Sequence, residues 1–203
     1  MKDKKLLLIV NPKSGTGKMK GHLMSVTEIF SDAGYEITVY PTKCPGDGTV
    51  RAAKVKQNEY DLIVVSGGDG TLNEVVTGLM QSKTKCTLGY IPSGTLNEWS
   101  TSLGIAKNIK KAAKDIAEGK PVPLDIGKFS DRYFTYTASF GAFTSASYSA
   151  PQNVKNVLGQ AAYFFEGIKS LGSIKPIHLK FTIDGIAREG DYLFGAISNS
   201  LSV

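Results

Sequence analysis

Asp61-Leu62-Ile63-Val64-Val65-Ser66-Gly67-Gly68-Asp69-Gly70-Thr71-Leu72-Asn73-Glu74 is the stretch that decides the fold. After Asp61, the four residues Leu62 to Val65 form an unbroken apolar run, as in a strand covered on both faces. The run breaks at Ser66-Gly67-Gly68-Asp69-Gly70, and Val75, Val76 and Leu79 then follow at helical spacing. Paired glycines let main-chain amides approach an anion without Cβ obstruction, and the helix that follows turns its unpaired N–H groups and dipole toward negative charge. Asp69 stands out, because a carboxylate among such amides needs a metal ion or a proton transfer to explain it. The plainer alternative is that Asp69 or Thr71 caps the helix.

Outward from this segment the same strand–turn–helix unit recurs. Leu6–Val10 reads as a strand followed by the loop Asn11-Pro12-Lys13-Ser14-Gly15-Thr16-Gly17-Lys18, then a helix through Leu23, Val26, Ile29 and Phe30 closed by Gly34. Tyr35–Tyr40 reads as a strand and residues 49–58 as a helix. Thr87–Ile91 reads as a strand ending at Pro92-Ser93-Gly94-Thr95, with helix continuing to about residue 118. Alternation of this kind predicts an α/β domain with a parallel sheet and helices on both faces, and ligands beyond the carboxyl ends of the strands. All three glycine-bearing loops follow strand ends, so they are expected to converge on one edge.

The first loop offers amides, two hydroxyls and two ammonium groups. It is not a Walker A loop, since Met19 follows Gly17-Lys18 and Pro12 stands where that motif needs glycine. It does not fit G-x-G-x-x-G either, so alone it also reads as a flexible basic turn. In the third loop, Thr95 and Glu98 have the spacing of a capping box.

The proline pair Pro121-Val122-Pro123 marks an expected boundary between a domain over residues 1–122 and a β-rich one over residues 123–203. Leu124–Phe129 and Tyr133–Ser139 read as antiparallel strands, residues 153–171 as a largely apolar helix, and His178–Ile183 with Tyr192–Ser198 as a hairpin turning at Asp184-Gly185. The 153–171 helix reads either as core packing or as one wall of a cleft for acyl chains.

Composition narrows the function classes. The 203 residues include only two cysteines and two histidines, which gives no disulfide framework, no metal-ligand spacing and little basis for a Ser-His-Asp triad. No segment approaches the roughly 20 apolar residues of a membrane span, so a cytoplasmic protein is expected. Net charge is +6; residues 1–120 carry 17 basic and 12 acidic residues, and residues 121–203 carry 7 and 6. Lys107, Lys110, Lys111 and Lys114 fall on one predicted helix face, read either as a solvated face or as a contact for anionic membrane. Dispersed lysines without a stacking motif or finger argue against nucleic acid.

Asn11-Pro12-x-Ser14-Gly15, Gly67-Gly68-Asp69-Gly70-Thr71-Leu72-Asn73-Glu74-Val75 and Gly94-Thr95-x-Asn97-Glu98 resemble the catalytic-domain motifs of diacylglycerol, sphingosine and ceramide kinases, with the closest likeness to the soluble bacterial diacylglycerol/lipid kinase branch. Leu124-Asp125-Ile126-Gly127 and Phe194-Gly195-Ala196-Ile197-Ser198-Asn199-Ser200 extend the likeness along the chain. The resemblance implies a Rossmann-like nucleotide-binding domain followed by part of a β-sandwich domain, and ATP-dependent phosphorylation of a lipid hydroxyl with Mg²⁺. By matched position, Asn11, Pro12, Lys13, Ser14, Gly15, Thr42, Ser66, Gly67, Gly68, Asp69, Gly70, Thr71, Leu72, Asn73, Glu74, Gly94, Thr95 and Asn97 would contact the nucleotide. Asp69 would be the catalytic carboxylate, acting on phosphate-bound Mg²⁺ or assisting the hydroxyl.

Two departures stand out: the family's Asn-Asp-Phe-Ala-Arg is here Asn97-Glu98-Trp99-Ser100-Thr101, and the family pattern continues past Val203. The resemblance implies that the continuation carries a structural metal site and a carboxylate proposed as general base, so the chain is expected to be a fragment or incomplete as an enzyme. The partners implied are a lipid substrate at the membrane surface and peripheral contact at the inner face, with a homodimer left open. NAD kinase shares the Gly-Gly-Asp-Gly-Thr loop and stands as the alternative enzyme; a nucleotide- or lipid-binding protein without turnover stands as the alternative class.

Overall fold

The computed structural model describes residues 4–130, 132–141 and 175–199. These fall into two compact units: the residues up to Tyr136 together with Asn199, and those from Thr137 to Ser198. The expected helix over 153–171, and Ser200, lie outside the described residues.

In the first unit, β1 (Lys4–Val10), β2 (Tyr35–Pro41), β3 (Leu62–Gly67) and β4 (Thr87–Pro92) form a parallel sheet in the order β2-β1-β3-β4. Side chains of the central strands alternate between two cores, as the strand period of two requires. Leu6, Leu8, Val10, Leu62 and Val64 pack with Val26 and Phe30 of α1 (Leu23–Asp32) and with Ile109, Ala112 and Ala113 of α5 (Ile109–Glu118). Leu7, Ile9, Ile63 and Val65 pack on the other face with Ala52 of α2 (Asp47–Ala53), with Leu72, Val75, Val76 and Leu79 of α3 (Asp69–Ser82), and with Trp99 of α4 (Glu98–Ser102). Both faces of β1 and β3 are therefore apolar, which is why these strands read as continuous runs.

The strand order reverses direction at β1: the chain leaves it toward β2 and returns across it to β3. Such a switch point opens a crevice between the carboxyl ends of the two strands. Here it lies between the loops that begin at Asn11 and at Ser66.

Several local expectations are corrected. The helix expected at 49–58 is Asp47–Ala53, because Asn58 adopts a left-handed backbone (φ 61°) and Val55 turns into the core. The helix expected to run to about 118 is two helices, α4 and α5, and Lys107 precedes the second, whose N-cap is Asn108. Lys110, Lys111 and Lys114 do share the exposed side of α5, with Lys111 held by Asp115. Neither Asp69 nor Thr71 caps α3; Gly68 occupies that position. The Thr95–Glu98 capping box does not form, because α4 starts at Glu98 with Asn97 at its cap position.

Beyond α5, the strand expected at Leu124–Phe129 is β5 (Gly127–Phe129), paired with β6 (Arg132–Phe134). Tyr133–Ser139 is not one strand: the chain breaks at Thr135-Tyr136 and continues as β7 (Thr137–Gly141) in the second unit. There, β8 (Ile177–Ile183) turns at Asp184 (φ 50°) and Gly185 (φ 82°) and pairs with β9 (Ile186–Tyr192), while β10 (Phe194–Ser198) pairs with β7. The turn was legible, since two positive-φ residues suit a tight hairpin. Its partner was not, because Ile186-Ala187-Arg188-Glu189-Gly190-Asp191-Tyr192 lacks a clear apolar face and is bound instead by cross-strand pairs such as His178–Asp191 and Lys180–Glu189.

Candidate functional site

Three loops meet at the carboxyl edge of the sheet. The Asn11 amide donates to the Ser66 carbonyl (2.8 Å), carrying the β1–β3 ladder one step past the strands, and Asn11 Nδ2 donates to the Thr71 hydroxyl (2.9 Å). The Asn11 carbonyl accepts the Ser14 amide and its Oδ1 accepts the Lys13 amide, so one side chain shapes the first loop and ties it to α3. The Ser93 and Gly94 amides both donate to the Gly67 carbonyl (2.8 and 3.2 Å), joining the second loop to the third.

The glycines show how closely the loops approach. A Cβ on Gly15, which is left-handed (φ 56°), would lie 2.6 Å from the Ser93 carbonyl oxygen. One on Gly94 would lie 2.5 Å from the Gly68 Cα and 2.7 Å from Asn97 Oδ1. Both glycines are fixed by contact with main chain, which has nowhere to retreat. Thr42 completes the rim beside β1: its amide donates to the Val10 carbonyl (2.8 Å). Asp47 holds the loop after Thr42, accepting from the Lys43 amide and the Tyr40 hydroxyl (both 2.8 Å); these two bonds, the Lys43 amide first, keep its carboxyl below the ordinary range.

At the start of α3 the Leu72 amide donates to the Gly68 carbonyl, so the preceding amides of Asp69, Gly70 and Thr71 lie in the first turn, where a helix offers no carbonyl partner. These are the donors a phosphate group would take. Asp69 sits among them in an unusual state. One oxygen, Oδ2, accepts the Glu98 amide at 2.9 Å and so holds the start of α4. The other, Oδ1, is buried and has no hydrogen-bond partner in the protein. Burial raises the carboxyl above its ordinary value of 3.8, against the lowering effect of the Glu98, Trp99 and Asp69 amides. Glu98 is exposed, yet its carboxyl is also raised, by the surrounding protein and then by the charge of Asp69. The Tyr136 phenol is raised by burial, then by Glu98 and Asp69.

Among the described residues, no cluster of three or more His, Cys, Asp or Glu side chains could hold a metal ion. A cation at Asp69 would therefore draw most of its ligands from phosphate oxygens and water, the usual arrangement for magnesium. An orphaned carboxylate oxygen beside first-turn amides and a Cβ-free cradle fits such a phosphate-bound ion.

The expected site residues do not all gather here. Asn11, Lys13, Ser14, Gly15, Ser66 to Thr71, Gly94 and Asn97 lie at the convergence, with Pro12 and Thr95 in the same loops. Leu72 is wholly buried in the core. Asn73 Oδ1 accepts the Thr135 amide and hydroxyl (3.1 and 2.9 Å), and Asn199 Nδ2 donates to the Asp125 and Thr135 carbonyls, so this network pins the segment before β7 to α3. Glu74 faces α2, where its two oxygens accept the Gly46 and Gly48 amides (2.9 and 3.1 Å) at that helix's start. Glu74→Ala is expected to cost about 1–2 kcal/mol of stability, as loss of a helix cap does, and to leave nucleotide affinity unchanged; denaturant unfolding and calorimetric titration check the two halves. Sequence reasoning missed Tyr90, which lies inside β4 and joins two loops through its hydroxyl.

Fold and site together define an α/β module with three glycine-bearing loops meeting at a sheet switch point. The profile of the diacylglycerol kinase catalytic domain matches residues 5–129. Over 201 residues, 98% of this chain, the sequence is 39% identical to a diacylglycerol kinase of Bacillus subtilis (strain 168) and 36% identical to one of Staphylococcus aureus (strain bovine RF122 / ET3-1). Two crystal structures from Bacillus anthracis str. Sterne superpose with TM-scores of 0.79 and 0.77 at 32% and 31% identity, covering 100% and 98% of this chain and 67% and 66% of theirs; the second is described as a diacylglycerol kinase. The chain belongs to the diacylglycerol kinase catalytic-domain family. It spans 66% and 64% of the length of the two curated relatives.

Proposed function

We propose that the protein is an ATP-dependent lipid kinase that moves the γ-phosphoryl group to a lipid hydroxyl, with diacylglycerol as acceptor and phosphatidic acid as product. The observation that carries this reading is Asp69: a carboxylate with one oxygen tied to the Glu98 amide and the other buried without a protein partner, at the head of a helix with open amides. Family membership supports the reaction class, and residues 1–122 are taken as the nucleotide-binding catalytic part, with residues 123–203 as part of a lipid-binding domain.

ATP bound with magnesium would supply the phosphoryl group and offset its charge. The chain's own contribution is positioning and electrostatics. The Gly70 and Thr71 amides would bind phosphate oxygens, and Lys13 and Lys18 add positive charge to the first loop. Asp69 Oδ1 either ligates the phosphate-bound ion or accepts the proton of the acceptor hydroxyl; its raised carboxyl fits the second role and its lack of a protein partner fits both.

The exposed Lys110 and Lys114 on α5, beside Lys111 whose charge Asp115 offsets, support peripheral contact with anionic membrane, each near-surface charge contributing about 1 kcal/mol. Among the described residues, no helix is long and apolar enough to cross a membrane.

Labelled ATP, offered with diacylglycerol and NAD in competition to the full-length natural protein, tests the proposal. Label is expected in phosphatidic acid. Label in the NAD product, or nucleotide binding with no transfer to any lipid of a panel, would overturn it.

A further inference from the structure

Tyr90 is 5% exposed, in the last turn of pleat before β4 meets the third loop. Its hydroxyl lies 3.2 Å from the Gly67 carbonyl oxygen and 3.3 Å from Asn97 Oδ1. Both are acceptors, since Asn97 Oδ1 also takes the Gly94 amide (3.0 Å) while Asn97 Nδ2 donates to the Gly94 carbonyl (2.8 Å), which fixes the orientation of that amide group. One phenolic proton is thus shared between the second loop and the third. Beside it the Ser66 and Ser93 hydroxyls, 0% and 2% exposed, bond each other at 3.1 Å, and the Trp99 ring packs on Tyr90 with centroids 6.0 Å apart.

Everything this hydroxyl touches leads to Asp69. Asn97 is left-handed (φ 54°) and directly precedes Glu98, whose amide holds Asp69 Oδ2. The Gly67 carbonyl precedes Gly68 and the first turn of α3. Fixing Asn97 against Gly67 sets the angle at which the Glu98 N–H meets the carboxylate.

We propose that Tyr90 is a positioning residue, whose hydroxyl sets the Glu98 N–H that aims the Asp69 carboxylate. Its kinetic consequence rests on the kinase reading; its structural consequence does not. Tyr90→Phe removes the proton without orphaning an acceptor, because the Gly67 carbonyl keeps the Ser93 and Gly94 amides and Asn97 Oδ1 keeps the Gly94 amide. The variant should fold.

Two readouts test the proposal on the full-length natural protein. By NMR, the Glu98 amide proton, deshielded by its bond to a carboxylate, should move upfield in Tyr90→Phe and exchange about tenfold faster. In the lipid phosphorylation assay, kcat should fall about tenfold with KM for ATP changed less than twofold, since aim is lost and phosphate donors are kept. Asn97→Gly tolerates the positive φ and cuts the other end of the link. It should reproduce the Glu98 shift even if Tyr90→Phe fails to fold, and the double variant should show no more than either alone. An unchanged Glu98 resonance in a folded variant, or equal losses in kcat and nucleotide affinity, would overturn the proposal. A wild-type protein with no lipid transfer would sink the kinase reading alone, and the Glu98 resonance would still judge Tyr90.

Discussion

Asp69→Asn is expected to abolish phosphoryl transfer, by about a thousandfold or more, the order lost when one preorganised charge-stabilising group is removed, while leaving the fold intact. Asparagine keeps the shape of the side chain and an oxygen that accepts the Glu98 amide, so α4 stays tied to α3. It lacks the negative charge that a cation needs and the basicity that a proton transfer needs, so either role for Oδ1 is lost.

The same substitution carries a stability signature whose sign follows from the burial of Asp69. Its carboxyl is raised above 3.8 by burial, so the folded protein holds that proton more tightly than the unfolded chain does. Wild-type stability from this group is therefore full below about 3.8 and declines as pH rises through the native value. The variant has no such decline. Melting curves should show the two proteins closest in acid and the variant equal or more stable at neutral pH. A variant clearly less stable at pH 7 would show that Asp69 is held for structure.

Gly94→Ala is expected to give the other large effect. Its Cβ would stand 2.5 Å from the Gly68 Cα and 2.7 Å from Asn97 Oδ1, with main chain on one side and a doubly bonded side chain on the other. The second and third loops must separate, which breaks the Ser93 and Gly94 bonds to the Gly67 carbonyl. Overpacking of this kind costs about 2 kcal/mol or more of stability. Displacing α3's first turn relative to its partner loop should lower nucleotide affinity about a hundredfold, as misplaced binding groups do. Gly34→Ala is the control: unlike Gly94, Gly34 has positive φ (84°), and a Cβ there meets nothing within 4 Å, so it should carry local backbone strain without loss of nucleotide. Calorimetric titration with magnesium-ATP separates the two.

How much of this was legible in the sequence depends on the range of the interaction. Leu6–Val10 and Leu62–Val65 are apolar without interruption because both faces of their strands are covered, so the parallel sheet could be read directly. The glycine loops could be read because φ and close approach restrict residue choice, and their convergence followed from lying at strand ends. The role of Asp69 as the hydrogen-bond partner of a different helix could not, because Glu98 lies 29 residues away and neither residue's neighbours record the pairing. Tyr90 looked like one more strand residue, since its apolar ring satisfies the core and only its hydroxyl, invisible to a hydrophobic pattern, links the loops. Glu74 and Asn73 follow the glycine motif so closely that matched position sent them to the nucleotide. Helix periodicity does separate them: a carboxylate five residues past Asp69 on α3 lies a turn and a half along the helix, where α2 is its neighbour.

A kinase built on this site must hold phosphate groups where the three loops meet. Replacing magnesium by manganese in bound nucleotide and recording paramagnetic line broadening of backbone amides locates those phosphates directly. Broadening should appear first at Gly15, at Gly68 through Thr71 and at Gly94, and should weaken in Asp69→Asn. Broadening centred elsewhere, or none at nucleotide concentrations that saturate the protein, would contradict that placement.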